Sequence, residues 1–320
     1  MKTSFPGTPT IDIAPLFGGR PPAALDRSIV EALRNVGSFV ATGFPGSRDL
    51  DARARRMLRF FELSAEEKFA LTPRHSRPGA ANIYRGYNPL PEKRGWSCNE
   101  NYDIGPEVPS ASRHPDLVTA FLEPNVWPAH EPAPGWRDDM LAWYGDMRGV
   151  AAAVLGAIAR SLDIDPAALR ATCGTSNGTL RMLHYPPAPD DFIAADLDEV
   201  PVLVDEAGRR VVTHSHVDTC TMSLLWQDEV GGLQTCTPGG SWREVPSVPD
   251  AVSIHNGDLM SGITGGVLDG TFHRVVGFGR DRCSIGMFLE PEFDAEVLAP
   301  GKSDPVTYAR HLTTMFPDRF

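Results

Sequence analysis

Between about residue 175 and residue 295 the chain is a succession of short β-prone runs broken by turn residues: "GTLRMLHYPP", "RRVVTHSHVD", "TMSLLWQD", "GGLQTCTPGGSWREV", "AVSIHNGD", "GTFHRVVGFG" and "CSIGMFLEP". Each run is rich in Val, Leu, Ile, Thr or aromatic residues, and each is closed by Gly, Pro, Asn or Asp, the composition of strand and turn. Seven or eight strands at this spacing predict an antiparallel sandwich or jelly roll, a double-stranded β-helix. No other segment constrains the fold as tightly.

The amino half reads differently. "TPTIDIAPL" is an edge-type strand closed by proline, and "PPAALDRSIVEALRNVG" places Leu25, Ile29, Val30, Leu33 and Val36 at helical spacing with Gly37 as a stop. "SFVATGF" is the next strand, and "DLDARARRMLRFFELSAEEKFAL" carries a second helix, with Ser64 and Glu67 spaced as a capping box. Residues 72 to 115 are rich in Pro, Gly, Asn and Ser with isolated aromatics, which predicts a long structured loop region. "WRDDMLAWYGDMRGVAAAVLGAIARSLDI" is the longest helical stripe and the candidate spine. The organisation expected is therefore α+β. Residues 1–135 form a mixed α/β region packed on the core, 136–175 the spine helix and its connection, 176–295 the jelly roll, and 296–320 a tail or helix near the barrel mouth.

A net charge of -11 over 320 residues repels polyanions, so nucleic acid and anionic membrane surfaces are poor partners. A small molecule is the expected partner, and a monomer or weak homo-oligomer the expected state. The amino terminus lacks the basic start and apolar run of a secretory signal. Five cysteines without CxxC spacing fit free thiols in a reducing compartment, which predicts a cytoplasmic protein.

In "VVTHSHVDTCTMSLLWQD", His214, His216 and Asp218 are spaced by two, and strand alternation points all three to one face. On spacing alone His214 with His216 is as good a ligand pair as His216 with Asp218. His273 begins "HRVVGFG" in another run of the same barrel. Two imidazoles and one carboxylate leave coordination positions open, the arrangement suited to non-haem Fe(II) and oxygen chemistry, and the lack of thiolates disfavours structural zinc. In "RDRCSIG", Arg282 and Ser284 lie two apart on a strand, a guanidinium fork and a hydroxyl suited to gripping a carboxylate. Arg181, Leu183 and Tyr185 share a face of "LRMLHYPPAP", so a Tyr185 turned to that carboxylate brings Arg181 into the pocket. Tyr84, Arg85, Tyr87, Asn101 and Tyr102 lie in the long loop and are candidates for shaping a substrate pocket or for stapling the loop to the barrel.

With these residues in place, the chain resembles the isopenicillin N synthase-like family of 2-oxoglutarate- and Fe(II)-dependent dioxygenases over nearly its whole length. "HVDTCTMSLLWQDEVGGLQ" is similar to the family's HxD strand and following turn, and "HRV" with "RCS" to its distal histidine and RxS pair. "IDIAPL", "GSFVATGF", "FFELSAEEK", "RGY" and "NVWP" match amino-terminal landmarks in order. The resemblance implies that His216, Asp218 and His273 bind iron, with His214 moved from ligand to a supporting or substrate contact. It implies that Arg282, Ser284 and Tyr185 bind the distal carboxylate of 2-oxoglutarate. Leu183 stands where many plant members have asparagine, so that cosubstrate contact is absent here.

The reaction so implied couples decarboxylation of 2-oxoglutarate to succinate and CO2, with O2 consumed, to hydroxylation, desaturation or cyclisation of a small molecule. Ascorbate is the candidate reductant. Arg181, Arg85 and Tyr87 at the pocket favour a carboxylate-bearing substrate. The rival readings are a 2-oxoglutarate-independent iron oxidase of the isopenicillin N synthase type, in which Arg282 and Ser284 hold a substrate carboxylate, and a non-catalytic jelly-roll binding protein.

Overall fold

The chain opens with β1 (Thr10–Asp12), α1 (Ala23–Asn35) and β2 (Ser38–Thr42), in a computed structural model that describes residues 7–92, 94–165, 169, 177–194 and 203–315. Helix α1 buries Ile29, Val30 and Leu33, residues that fall on one side of a 3.6-residue turn. Gly37, at a φ of 84°, turns the chain straight into β2. The second helical region is two helices, α2 (Leu50–Leu58) and α3 (Ala65–Phe69), joined through a 3-10 turn. The Ser64–Glu67 capping box starts the second of them.

Two short strands, β3 (Gly86–Asn88) and β4 (Arg94–Gly95), and the longer β5 (Glu100–Ile104) come next, then a single-turn α4 (Thr119–Leu122) and the spine helix α5 (Trp136–Leu162). The carboxyl half supplies β6 (Asn177–Tyr185), β7 (Ile193–Ala194), β8 (Val211–His216), β9 (Met222–Gln227), β10 (Leu233–Cys236), β11 (Trp242–Glu244) and β12 (Val252–Asn256). After α6 (Met260–Ile263) come β13 (His273–Val276), β14 (Arg282–Glu290), β15 (Glu296–Val297), β16 (Val306–Thr307) and the closing helix α7 (Tyr308–Met315).

Two sheets dominate. The larger has eight strands in the order β1-β2-β12-β9-β14-β6-β5-β3, and the smaller has four in the order β11-β10-β13-β8. Alternation along each strand divides the large sheet into two faces. Leu180, Met182, Leu224, Trp226, Ile254, Ile285 and Met287 point outward into one apolar core with Trp143, Met147, Val154 and Ile158 of α5. The opposite face looks at the small sheet, and the site lies between them.

The sequence between residues 94 and 104 departs from the expected loop. His214 N donates to Trp96 O at 3.0 Å and Cys98 N to Val212 O at 2.7 Å, so residues 96–98 extend the free edge of the small sheet. The chain then crosses to the large sheet, where β5 pairs with β6 from Glu100 opposite His184 to Ile104 opposite Leu180. This crossing closes one side of the sandwich, and a Ser38–Thr235 hydroxyl contact at 3.5 Å spans the other. Helix α7 lies against the turn after Asp218, with the Tyr308 hydroxyl 3.5 Å from Thr219 O and His311 Nε2 3.3 Å from Asp258 Oδ2. Among the described residues Cys98, Cys220, Cys236 and Cys283 are free thiols; Cys173 lies outside them.

Candidate metal and cosubstrate site

The register of the large sheet arranges its inner face in rows. Tyr185 stands opposite Arg282; Leu183 is in line with Ser284 and Gln227; Arg181 with Gly286 and Leu225; Thr179 with Phe288, Ser223 and His255. Polar and ionisable residues in four successive rows of a buried face are costly unless each has a partner or a ligand.

His216 closes β8, Asp218 sits in the turn beyond it, and His273 opens β13 directly opposite His216. One ligand atom from each of the three lies within 4.8 Å of the others. Each imidazole is oriented by the backbone: His216 Nδ1 lies 2.9 Å from His214 O and His273 Nδ1 3.3 Å from Thr271 O. A proton on each Nδ1 leaves both Nε2 atoms as acceptors facing Asp218. Burial pushes the His273 imidazole down to about 4, against the pull of Asp218, so it is neutral as a ligand must be. Asp218 is buried, which opposes its charge, and the hydrogen bond from Ser223 Oγ to Oδ2 favours the ionised carboxylate. Two fixed imidazole acceptors and one ionised carboxylate fit a divalent metal with open positions.

His214 does not share that face. The ladder pairs Val275 with Thr213 but His273 with His216, so β8 carries one extra residue there and Thr213, not His214, falls in step with His216. What His214 supplies is its carbonyl. Strict alternation was the wrong assumption for this stretch.

On the neighbouring rows, Arg282 is buried and its guanidinium is fixed by three bonds: Nε to Gly231 O at 2.6 Å, Nη1 to Ser284 Oγ at 3.1 Å and Nη2 to Gln227 Oε1 at 3.3 Å. A guanidinium has five N–H donors, so one on each Nη remains for a ligand. Ser284 accepts from Arg282 and keeps its own proton to donate. The Tyr185 ring lies 4.7 Å from the guanidinium carbon, and its hydroxyl has no hydrogen-bond partner among the described residues. Arg282, Ser284 and Tyr185 are thus brought together as a set of unspent donors.

Two loop residues expected at the substrate pocket are elsewhere. Arg85 is buried, with Nη1 on the carbonyl of Glu123 and Nη2 on that of Phe121 at 2.8 Å, so its charge ties down the chain before α5. Tyr87 is on the helix-packed side of the sheet, with its hydroxyl 2.6 Å from Glu100 Oε2 and its ring against Phe60. Arg181 does line the inner face, but Asp103 grips it through two bonds of 2.7 Å. The cationic pocket expected from these three residues is absent. Sequence reasoning missed Ser223, Gln227 and Asp103. Their only signal is even spacing within a strand, Ser223 with Gln227 and Asp103 with Asn101, which ordinary polar residues share.

A double-stranded β-helix that places a carboxylate between two imidazoles, with an arginine–serine pair on the facing sheet, has the form of a mononuclear non-haem metal enzyme. The family model of the 2OG-Fe(II) oxygenase superfamily matches residues 176–291, and that of the amino-terminal region of non-haem dioxygenases in morphine synthesis matches residues 8–130. The chain is 31% identical over 294 residues to the 2-oxoglutarate-Fe(II) type oxidoreductase hxnY of Emericella nidulans, covering 88% of this chain and 78% of that one. It is 29% identical over 293 residues to isopenicillin N synthase of Hapsidospora chrysogena, covering 88% and 82%. Among solved structures, a full-length Neurospora crassa protein in complex with alpha-KG and thymine superposes with a TM-score of 0.76 at 22% identity, covering 100% of this chain and 99% of that one. The chain belongs to the 2OG-Fe(II) oxygenase superfamily and is an oxidoreductase of that family.

Proposed function

We propose that His216, Asp218 and His273 hold Fe(II), that Arg282, Ser284 and Tyr185 hold the distal carboxylate of 2-oxoglutarate, and that the chain oxidises a small molecule with release of succinate and CO2. The observation that carries this reading is the convergence of three ligand atoms within 4.8 Å on the small-sheet side of a cleft whose large-sheet side presents the unspent donors of Arg282. Iron, when bound with 2-oxoglutarate, supplies an oxidant made from O2 at the expense of the keto acid, with ascorbate the candidate reductant that keeps the metal ferrous. The residues position and shield. Arg282 offers two parallel N–H groups, fixed in direction by Gly231 and Gln227, so a carboxylate docks with little further ordering. Ser284 and Tyr185 add one O–H each. Ser223 fixes the Asp218 carboxylate, and the two backbone carbonyls fix the imidazoles, so the ligands are set before the metal arrives.

No helix among the described residues is long and apolar enough to cross a membrane. Free thiols at four described cysteines support the cytoplasmic reading, and the acidic surface supports a small-molecule partner and a monomer or weak homo-oligomer. The test is a screen of candidate substrates with the Fe(II) protein and 2-oxoglutarate under oxygen, with succinate and product mass both followed. Succinate and oxidised product rising together is the expected result. Product formed while 2-oxoglutarate stays intact overturns the reading in favour of an oxidase of the isopenicillin N synthase type.

A further inference from the structure

Between the row that carries Ser284 and the row in which Ser223 supports Asp218 lies a row made of Asp103, Arg181, Gly286 and Leu225. It is the part of the inner face that lies between the cosubstrate anchor and the metal ligands.

Arg181 is the row's one cation, and Asp103 already neutralises it. Nε meets Oδ1 and Nη2 meets Oδ2, both at 2.7 Å, a fork-to-fork pair in which the acid is fully buried. The pair still has an open side. Arg181 Nη1 has no hydrogen-bond partner among the described residues, and 27% of the side chain remains exposed although strands flank it on both sides. The next position in the row, Gly286, has no side chain; a Cβ there would come within 3.0 Å of Leu225 Cδ2 and 3.1 Å of Phe288 Cζ. Leu225 and Phe288 therefore close over Gly286, so the surface beside Arg181 is apolar, with the Phe288 ring centre 5.8 Å from the guanidinium carbon.

The other charges nearby are acidic or spent. Asp103 holds the negative charge of the row, and the Arg85 guanidinium is used by the carbonyls of Glu123 and Phe121. A carboxylate entering this space gains from Arg181 and loses to Asp103, which already neutralises it, so the cost of removing its water is not recovered. A neutral oxygen accepts from Nη1 without that cost, and the bond to a charged donor is stronger than an ordinary one.

We infer that the prime substrate is uncharged and carries a carbonyl or hydroxyl oxygen that accepts from Arg181 Nη1, with its apolar or flat body against Phe288 and Leu225. This rests on the reading of His216, Asp218 and His273 as the iron site, and it replaces the carboxylate-bearing substrate expected from sequence.

The test uses the full chain loaded with Zn(II) and 2-oxoglutarate, which cannot turn over. Matched pairs of benzamide with benzoate, phenylacetamide with phenylacetate, and indole-3-carboxamide with indole-3-carboxylate are titrated by ligand-observed NMR. The amides are expected to bind about tenfold or more tightly than their acids, because the acid alone is left with an uncompensated charge. Asp103→Asn, which removes the counter-charge, is expected to shift the preference toward the acids, and Arg181→Met to weaken the amides. Acids preferred by the unaltered protein overturn the inference with no variant required, as does an amide preference that survives unchanged in Arg181→Met. Retention of Zn(II) and 2-oxoglutarate is measured separately: its failure removes the site reading itself, whereas its success with acids preferred removes only the substrate class.

Discussion

Ser223 illustrates what a residue contributes without touching metal or cosubstrate. Its hydroxyl donates to Asp218 Oδ2 from the inner face of β9, leaving Oδ1 on the side of His216. Ser223→Ala should weaken Fe(II) or Co(II) binding about 10–100-fold, as loss of such a partner does at other metal sites. Equilibrium dialysis checks this, and unchanged affinity would mean that Asp218 holds its direction unaided. Gln227→Ala, which frees the Arg282 fork on one side, should raise the concentration of 2-oxoglutarate needed for half-saturation by about tenfold with metal binding retained, measured by calorimetry of the Zn(II) protein. The convergence of His216, Asp218 and His273, and of Arg282 with Ser284, was foreseeable in sequence because a metal-binding set and a carboxylate grip would call for such residue types two positions apart. Ser223, Gln227 and Asp103 were not, because a serine, a glutamine and an aspartate in strands are common for many reasons. Arg85 and Tyr87 misled because a charge or phenol in a loop says nothing about which way it faces.

At the scale of elements, the turn from Asp218 to Cys220 is held from outside. Asp258 Oδ1 accepts from Cys220 N at 3.1 Å, Asp258 N donates to Asp218 O at 2.9 Å, and Gly257 packs so closely that a Cβ would lie 2.0 Å from Cys220 O. Gly257→Ala must therefore displace the turn that carries a metal ligand. It should cost about 1–3 kcal/mol of stability, as overpacking does, and lower metal affinity as well. Denaturation in urea with and without metal measures both; a stable variant that binds normally would show that the turn yields freely. The strands of the carboxyl half, the spine helix and the closing helix were legible from periodicity and turn residues. Strand β5 was not, because "ENYDI" puts Asn101 and Asp103 on its inner face and lacks the apolar alternation of an ordinary strand. The same polar face that hid the strand makes it a wall of the site. The extra residue in β8 was likewise invisible, since a bulge changes the facing of side chains without changing composition.

For the molecule as a whole, the two faces of the large sheet do different jobs: one is an apolar core against α5, the other a polar cleft, and the cleft has a measurable effect on stability. Glu290 is buried at the end of β14 with one hydrogen bond, from Thr179 Oγ1 at 2.9 Å, and burial pushes its carboxyl up to about 7 from an ordinary 4.5. The folded chain then keeps a proton that the unfolded chain releases, so stability falls as pH rises between those values and levels off above them. The displacement is worth about 3 kcal/mol. Glu290→Gln should remove that slope, seen as convergence of the urea midpoints at about pH 5 and about pH 8; a slope equal to that of the unaltered protein would mean that other groups cause it. The jelly roll with its flanking helices was foreseeable from strand count and spacing, whereas the closing of the sandwich by residues 96–104 depends on contacts distant in sequence. The central claim is that one cleft binds iron at His216, Asp218 and His273 and 2-oxoglutarate at Arg282, and it is tested most directly by anaerobic dialysis of labelled 2-oxoglutarate against the Fe(II)-loaded chain. Retention in step with bound iron, lost in both Asp218→Ala and Arg282→Met, is the result predicted; iron bound at the triad with no 2-oxoglutarate retained would contradict it.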